Sequence, residues 1–350
     1  MNNLSKFVIK FIIIVYTTII MNKYCKKKYL SNFSLEKVKQ KTILGNEKKK
    51  ILKLFSDNLT QKNTSKSIEL AIELHVSGFF DNLLSKITVF FFNEVNLSQP
   101  RAILYLDKFL KYYYEKYTFS IKKNNPLKIV NDVKIRNFIF FFITLLCGSS
   151  SRKILKVVKI EKEDFNLKKK KKKIISKDLS NVLKFLNKND PKNIIIPMSE
   201  IINLLLNKNI VDREQQIIYW LSWLFEYEKT YHSKNLQVQY RDIDDIDIKY
   251  CKDFIWIIWQ MLKYTASMEY KKYIKALENI YKKKYTRGSK RSRANIIITA
   301  ILMVVNPLSK LPKNIPIITP ELFRRAQTES LKSNLLYLVF FQKIALTKKT

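Results

Sequence analysis

Four glycines in 350 residues (Gly45, Gly78, Gly148 and Gly288) fall far below the roughly 25 that average usage would give. There is no Gly-rich phosphate loop and no dinucleotide fingerprint. Hairpin-rich all-β folds are disfavoured too, because tight turns need glycine. Cysteine is as sparse: Cys25, Cys147 and Cys251 lie far apart, with neither a disulfide framework nor a CxxC zinc pattern, which suits a reducing cytosol or nucleus. Two histidines, His75 and His232, are too few for a histidine-rich metal site, and His75 lies on a helical pattern that makes it a structural residue. No Ser–His–Asp, Cys–His, P-loop or HExxH arrangement occurs. No metal site, cofactor or catalytic residue is therefore expected, and the chain reads as non-enzymatic.

Acid is the other scarcity. Asp and Glu total 29 against 66 Lys and Arg, a net charge of +37. Such a surface carries several kT of positive potential and suits polyanions: DNA, RNA or an anionic membrane face. Part of the excess has a plainer source. The chain is rich in Lys, Asn, Ile, Tyr and Phe, the residues of AT-rich codons, and its basic residues are mostly Lys, whereas phosphate recognition with fixed geometry favours Arg. Hydrophobic residues make up 47%, enough for a packed core.

The first 35 residues contain no acid, and residues 11–21 (FIIIVYTTIIM) are nearly all apolar between Lys6, Lys10 and Lys23. Three readings compete. A signal peptide lacks its small-residue cleavage site. A membrane span needs roughly 20 apolar residues. An upstream extension would leave Met21 as the true start. The last is preferred, with membrane contact through this segment the lesser reading. Asn63, Thr64 and Ser65 form a glycosylation sequon that a cytosolic chain would not use.

From Glu47 onward the pattern is helical. Ile68, Ile72, Val76, Phe79, Leu83 and Ile87 recur at three- and four-residue steps, giving one apolar face. Residues 102–117 form a further helix, and 134–147 (KIRNFIFFFITLLC) a central buried one with Gly148 as its cap. Six consecutive lysines, Lys168 to Lys173, repel one another and mark a loop between subdomains. Beyond them come helices at 179–186, at 200–207 capped by Ser199, and at 212–231 opened by Asp212 with Gln215. Residues 254–262, 294–305 and 330–346 are also helical, and Thr319, Pro320 and Glu321 make a helix start. All four tryptophans, Trp220, Trp223, Trp256 and Trp259, sit on two of these helices, as a shared core or as a base-stacking platform. The expected fold is all-α, an irregular multi-helix bundle or array. Its organisation is a basic extension at 1–46, a helical subdomain at 47–160, a Lys-rich loop at 161–178 and a second helical subdomain at 179–350.

The strongest electrostatic feature is residues 271–293, with ten basic residues and one acid, Glu278, interleaved by Tyr273, Tyr281 and Tyr285. Lys282, Lys283, Lys284, Arg287, Lys290, Arg291 and Arg293 are the candidate nucleic-acid-binding residues, since a helix end and a basic turn can hold phosphates while tyrosine stacks on bases. The alternative is a solvated structural turn. Asp242, Asp244, Asp245 and Asp247 could bind Mg²⁺ beside a phosphate substrate, but they precede a helix, where capping explains them. Glu226 and Glu228 near His232 suit ordinary helix positions.

Five stretches, ILYLDKFLK (103–111), QQIIYWLSWLFEYEK (215–229), DFIWIIWQML (253–262), KKKYTRGSKRSRANIIITAILMV (282–304) and ESLKSNLLYLVFFQKI (329–344), taken in order, resemble an uncharacterised helical protein family of large nucleocytoplasmic DNA viruses of giant-virus type. The resemblance covers most of residues 66–346 and implies a virus-encoded helical protein in the host cytoplasm or the virion. It supplies no catalytic residues. The resulting expectation is a non-enzymatic protein that binds nucleic acid or a nucleoprotein assembly through a basic surface, with a viral or host protein as a further partner. The rival expectation is a structural or scaffold protein of a virion or membrane-associated complex, which would show a large apolar surface near Trp220 and Trp256.

Overall fold

A computed structural model describes residues 40–117, 126–152, 154–167, 174–176, 178–231 and 237–306, with Glu321, Arg324, Arg325, Thr328, Tyr337, Val339 and Phe340. The protein is all-α: among the described residues there are twelve α-helices and no strand, only an isolated bridge between Lys41 and Glu47. In chain order these are α1 (Lys48–Thr60), α2 (Thr64–Val76), α3 (Phe80–Phe90), α4 (Pro100–Lys116), α5 (Pro126–Val130) and α6 (Val133–Gly148), then α7 (Ser180–Leu183), α8 (Ile195–Leu206), α9 (Arg213–Tyr231), α10 (Ile255–Thr265), α11 (Met268–Lys282) and α12 (Ala294–Val305). The readings of the N-terminal apolar segment, the lysine run, His232 and the start at Thr319 with Pro320 fall outside the described residues.

The described residues divide into two compact units. Residues 40–90, 113–149 and those from Glu321 on form the first, and 91–112 with 150–306 the second. This differs from the expected split at 161–178, because the described residues on both sides of the lysine run belong to the second unit. The reason is local anchoring. Glu200, fully buried on α8, accepts backbone N–H bonds from Ile175 (3.1 Å) and Ser176 (2.7 Å). Trp223 donates to the Asp164 carbonyl (3.0 Å), and Val158 donates to Ser222 Oγ (3.0 Å). These bonds satisfy backbone groups that a free linker would leave to water.

In the first unit, α1, α2, α3 and α6 pack on one another. The apolar periodicity through 68–87 is carried by two helices, since Gly78 takes a φ of +78° and breaks the run; glycine adopts this left-handed conformation without strain. Ser149 caps α6, with Gly148 its last residue. Eleven of the sixteen residues of α6 are buried, as a helix apolar nearly all round requires. The described end of the extension is tied to α2: Thr42 and Asn46 donate to the buried Glu73 carboxylate at 2.5 and 2.8 Å.

His75 is fully buried here. Its Nε2 lies 3.2 Å from the Ile129 carbonyl and its Nδ1 2.6 Å from the Tyr337 hydroxyl. A carbonyl only accepts, so Nε2 carries the proton and Nδ1 accepts from Tyr337. Arg136 stacks over the Tyr337 ring at 4.4 Å. Burial first, and then the Arg136 charge, push the imidazole down to about 3.

In the second unit α12 is the hub, packing against α8, α9, α10 and α11, with ten of its twelve residues buried. All four tryptophans are core residues, none more than 1% exposed, so neither the stacking platform nor an apolar surface at Trp220 and Trp256 exists. Ser199 does not cap α8. The helix begins four residues earlier at Ile195, with Pro197 tolerated in the first turn, and Ser199 is buried 2.8 Å from Ser176 Oγ.

Candidate nucleic-acid interface

The basic run at 271–293 folds as α11, a short loop, and two 3-10 turns, Arg287–Ser289 and Arg291–Arg293, that lead into α12. The helix buries Tyr270, Tyr273, Ile274, Leu277 and Tyr281 and turns Lys271, Lys272 and Lys275 outward. This amphipathic division follows from three- and four-residue spacing.

The seven expected site residues separate. Lys290 is 2% exposed and leaves the proposed surface altogether. Its Nζ reaches both oxygens of Glu228 on α9 (2.8 and 2.7 Å) and Asp253 Oδ1 (2.7 Å), and lies 4.3 Å over the Phe254 ring. Asp253 Oδ2 in turn accepts from Tyr285 (2.8 Å). A buried ammonium needs this compensation, since an isolated charge would pay several kcal/mol of lost hydration. Burial raises the Glu228 carboxyl, Lys290 opposes that, and the nearby Asp253 adds to it. Arg287 acts on Glu228 from a half-exposed position.

Arg293 folds back over the end of α11, donating to the Tyr281 carbonyl and, at 3.2 Å, to that of Lys284. It thereby satisfies terminal carbonyls that the helix leaves without partners. Arg291 pairs with Glu226. Burial alone would raise Glu226, but Arg291 and Lys229 hold its carboxyl below the ordinary value. Lys284 is exposed with a φ of +52°. Most of the turn is thus tied to carboxylates and carbonyls of its own unit. Tyr273, Tyr281 and Tyr285 are buried and offer no face to a base.

Lys282 and Lys283 belong to a different arrangement, at the end of α11; Lys282 is buried like Lys290 and leaves the expected surface, because it turns toward the buried Glu278, while Lys283 stays partly exposed. Lys263 Nζ lies 2.9 Å from Oε1 of the buried Glu278, and Lys275 and Lys282 lie 3.8 Å from the same carboxylate. Asp107 accepts from Asn279 Nδ2 (3.2 Å). Its carboxyl is raised by burial and lowered by that bond and by the charges of Lys283, Lys111 and Lys275. Three lysines therefore gather around Glu278, and Lys111, Lys275 and Lys283 act by charge on Asp107. Burial lowers the Lys282 ammonium, Glu278 raises it, and its neighbours Lys275 and Lys263 lower it again. Lys111 and Lys263 lie outside the basic run and are overlooked when charge is counted along the chain. The missed signal is an acid amid lysines at helical spacing, Lys275–Glu278–Lys282.

The acidic loop borders this cluster. Asp242, Asp244, Asp245 and Asp247 are exposed. Asp247 caps a 3-10 turn by accepting from Lys249 N (3.2 Å), and Asp245 lies 3.7 Å from Lys283. Among the described residues no three His, Cys, Asp or Glu side chains are placed to hold a metal ion, and no helix is long and apolar enough to cross a membrane. No family model, curated protein or solved structure matches the chain.

Proposed function

We propose that this is a non-enzymatic, virus-encoded helical protein that binds nucleic acid, or a nucleoprotein assembly, through a basic surface of its second unit, in the host cytoplasm or the virion. The observation that carries the reading is the group of lysines at α11 and its neighbours, with Lys263 and Lys275 beside Glu278 and Lys111 and Lys283 acting by charge on Asp107, in a chain of net charge +37. Lysine clusters neutralise phosphates and release condensed counterions, so association strengthens steeply as salt falls. Lysine in place of arginine suits charge neutralisation better than base readout.

The experiment is binding of the full chain to labelled nucleic acid across a salt series. A linear fall of log affinity with log salt is expected, with a slope of about −0.9 per neutralised duplex phosphate. Affinity that does not change with salt removes the reading. Pull-down from source cells with and without nuclease checks it independently: partners retained equally after nuclease favour the scaffold reading.

A further inference from the structure

We propose that the contact centre is the cluster of Lys111, Lys263, Lys275 and Lys283, that it grips the sugar–phosphate backbone of a duplex without reading bases, and that Asp244 and Asp245 weaken that grip. This rests on the nucleic-acid reading above and goes further in naming the residues, the form of nucleic acid and a restraining element.

Three observations support it. The first is the way the lysines are held. Glu278 is 1% exposed, and Lys263 alone among the three lysines near it comes within hydrogen-bonding distance. The carboxylate gathers Lys275 and Lys282 by charge without using their protons on itself, and Glu278 Oε2 makes no hydrogen bond among the described residues. Lys263 and Lys275, whose side chains are exposed, are thereby held near one carboxylate with the buried Lys282, so a phosphate arriving at them offsets like charge already brought together by the fold.

The second is that, among the described residues, the aromatic rings beside these lysines are buried or already met by another ring. The tyrosines interleaved with these lysines in sequence, Tyr273 and Tyr281, are buried, as are the four tryptophans. Tyr264, the exposed ring beside Lys263, is already met edge-on by Phe185 at 5.4 Å. Single-strand binders rely on stacking platforms. A surface of ammonium groups gains most from the denser phosphates of a duplex.

The third is the position of the acidic loop. Asp245 lies 3.7 Å from Lys283 and the Asp244 charge acts on Lys282. Both aspartates are exposed, so they compete with phosphate at the Lys283 side of the cluster.

Fluorescence anisotropy with a labelled mixed-sequence duplex DNA, on the full chain, tests this. The variant Lys111→Gln/Lys275→Gln/Lys283→Gln removes three lysines without stripping Glu278 of its hydrogen-bonded partner. Its log–log salt slope should shrink by about 2.7, at about 0.9 per contact. Lys49→Gln/Lys50→Gln/Lys53→Gln removes the same charge from exposed positions of the first unit and should shift the slope by less than one contact's worth. Asp244→Asn/Asp245→Asn should tighten binding; asparagine tolerates the φ of +63° at Asp245. Duplex should bind more tightly than either of its strands alone, and thermal melting of each variant confirms folding.

If both lysine triples weaken binding equally, the charge is diffuse and the named centre is wrong, while the nucleic-acid reading stands. Tighter binding to single strands, or an aspartate variant no tighter than wild type, likewise overturns the inference alone. If the full chain shows no salt-dependent binding to duplex or single strands, or binds phosphatidylserine vesicles instead, both fall.

Discussion

The two units each bury an ionisable residue, and they do so in opposite ways. His75 in the first is surrounded by a phenol and a carbonyl and kept neutral, its imidazole pushed down to about 3. Lys290 in the second is surrounded by two carboxylates and remains an ion pair. Both sites satisfy every proton they bury, which is the condition a low-dielectric interior imposes. The difference lies in the partners. A histidine can discharge within the ordinary pH range, so neutral acceptors and donors suffice. A lysine must find counter-charge or lose several kcal/mol. Lys275, on the same unit as Lys290, shows the third outcome. It is half-exposed, 3.8 Å from its nearest carboxylate oxygen, and water supplies the rest.

The largest expected effect that sharpens this comparison is Lys290→Met. It leaves Glu228 and Asp253 buried without their cation, and breaking a buried pair in this way costs about 3–5 kcal/mol. Chemical denaturation measures it. Adding Glu228→Gln and Asp253→Asn should recover most of that loss, because the cost is uncompensated charge rather than lost packing. A Lys290→Met variant as stable as wild type would mean that the pair contributes nothing.

His75 predicts the next effect, in pH. Its folded value lies below the ordinary 6.5. Its contribution is therefore fully present above pH 6.5 and is lost as pH falls through 6.5 towards about 3. By about pH 4 the loss amounts to roughly 3 kcal/mol. Arg136, Asp132 and Tyr337 face the same ring or its partners, so the clean measurement is the difference between wild type and His75→Gln across pH. Parallel stability curves for the two would break the comparison.

The smallest effect marks the exposed limit. Arg291→Ala removes an ion pair with Glu226 in which the arginine is about half exposed. Stability should change by less than about 1 kcal/mol, and added salt should erase the difference. A larger loss that persists in salt would place Arg291 with Lys290 rather than with Lys275.

Helices were legible in the sequence wherever apolar spacing was regular. The 294–305 helix appears with the bounds its pattern implies, and the tryptophan helices are core as their spacing suggests. Capping was less legible. Ser199 resembles a cap because serine favours helix starts, but the preceding Ile195–Met198 stretch is already helical, driven by burial that a local rule does not register. The candidate site was legible only as a stretch of charge. Counting charge along residues 271–293 treats the buried Lys290 and the exposed Lys275 alike. Lys263 lies outside that run and only folding brings it to Glu278; Lys111 stands four residues from Asp107 on α4, and folding brings that aspartate to Asn279 of α11.

Helical class follows from the sequence alone, because glycine scarcity and three- to four-residue apolar spacing are local properties that restrict the backbone before any packing occurs. The large positive charge follows equally, since it is a sum over residues. Which lysines are anchored or exposed was decided largely by tertiary structure, because that depends on carboxylates brought from elsewhere in the fold, Glu228 and Asp253 beside Lys290 and Glu278 beside Lys263. The strength of a charge is set by the distance to its partner and by the water excluded around it, and neither quantity exists until the chain has folded.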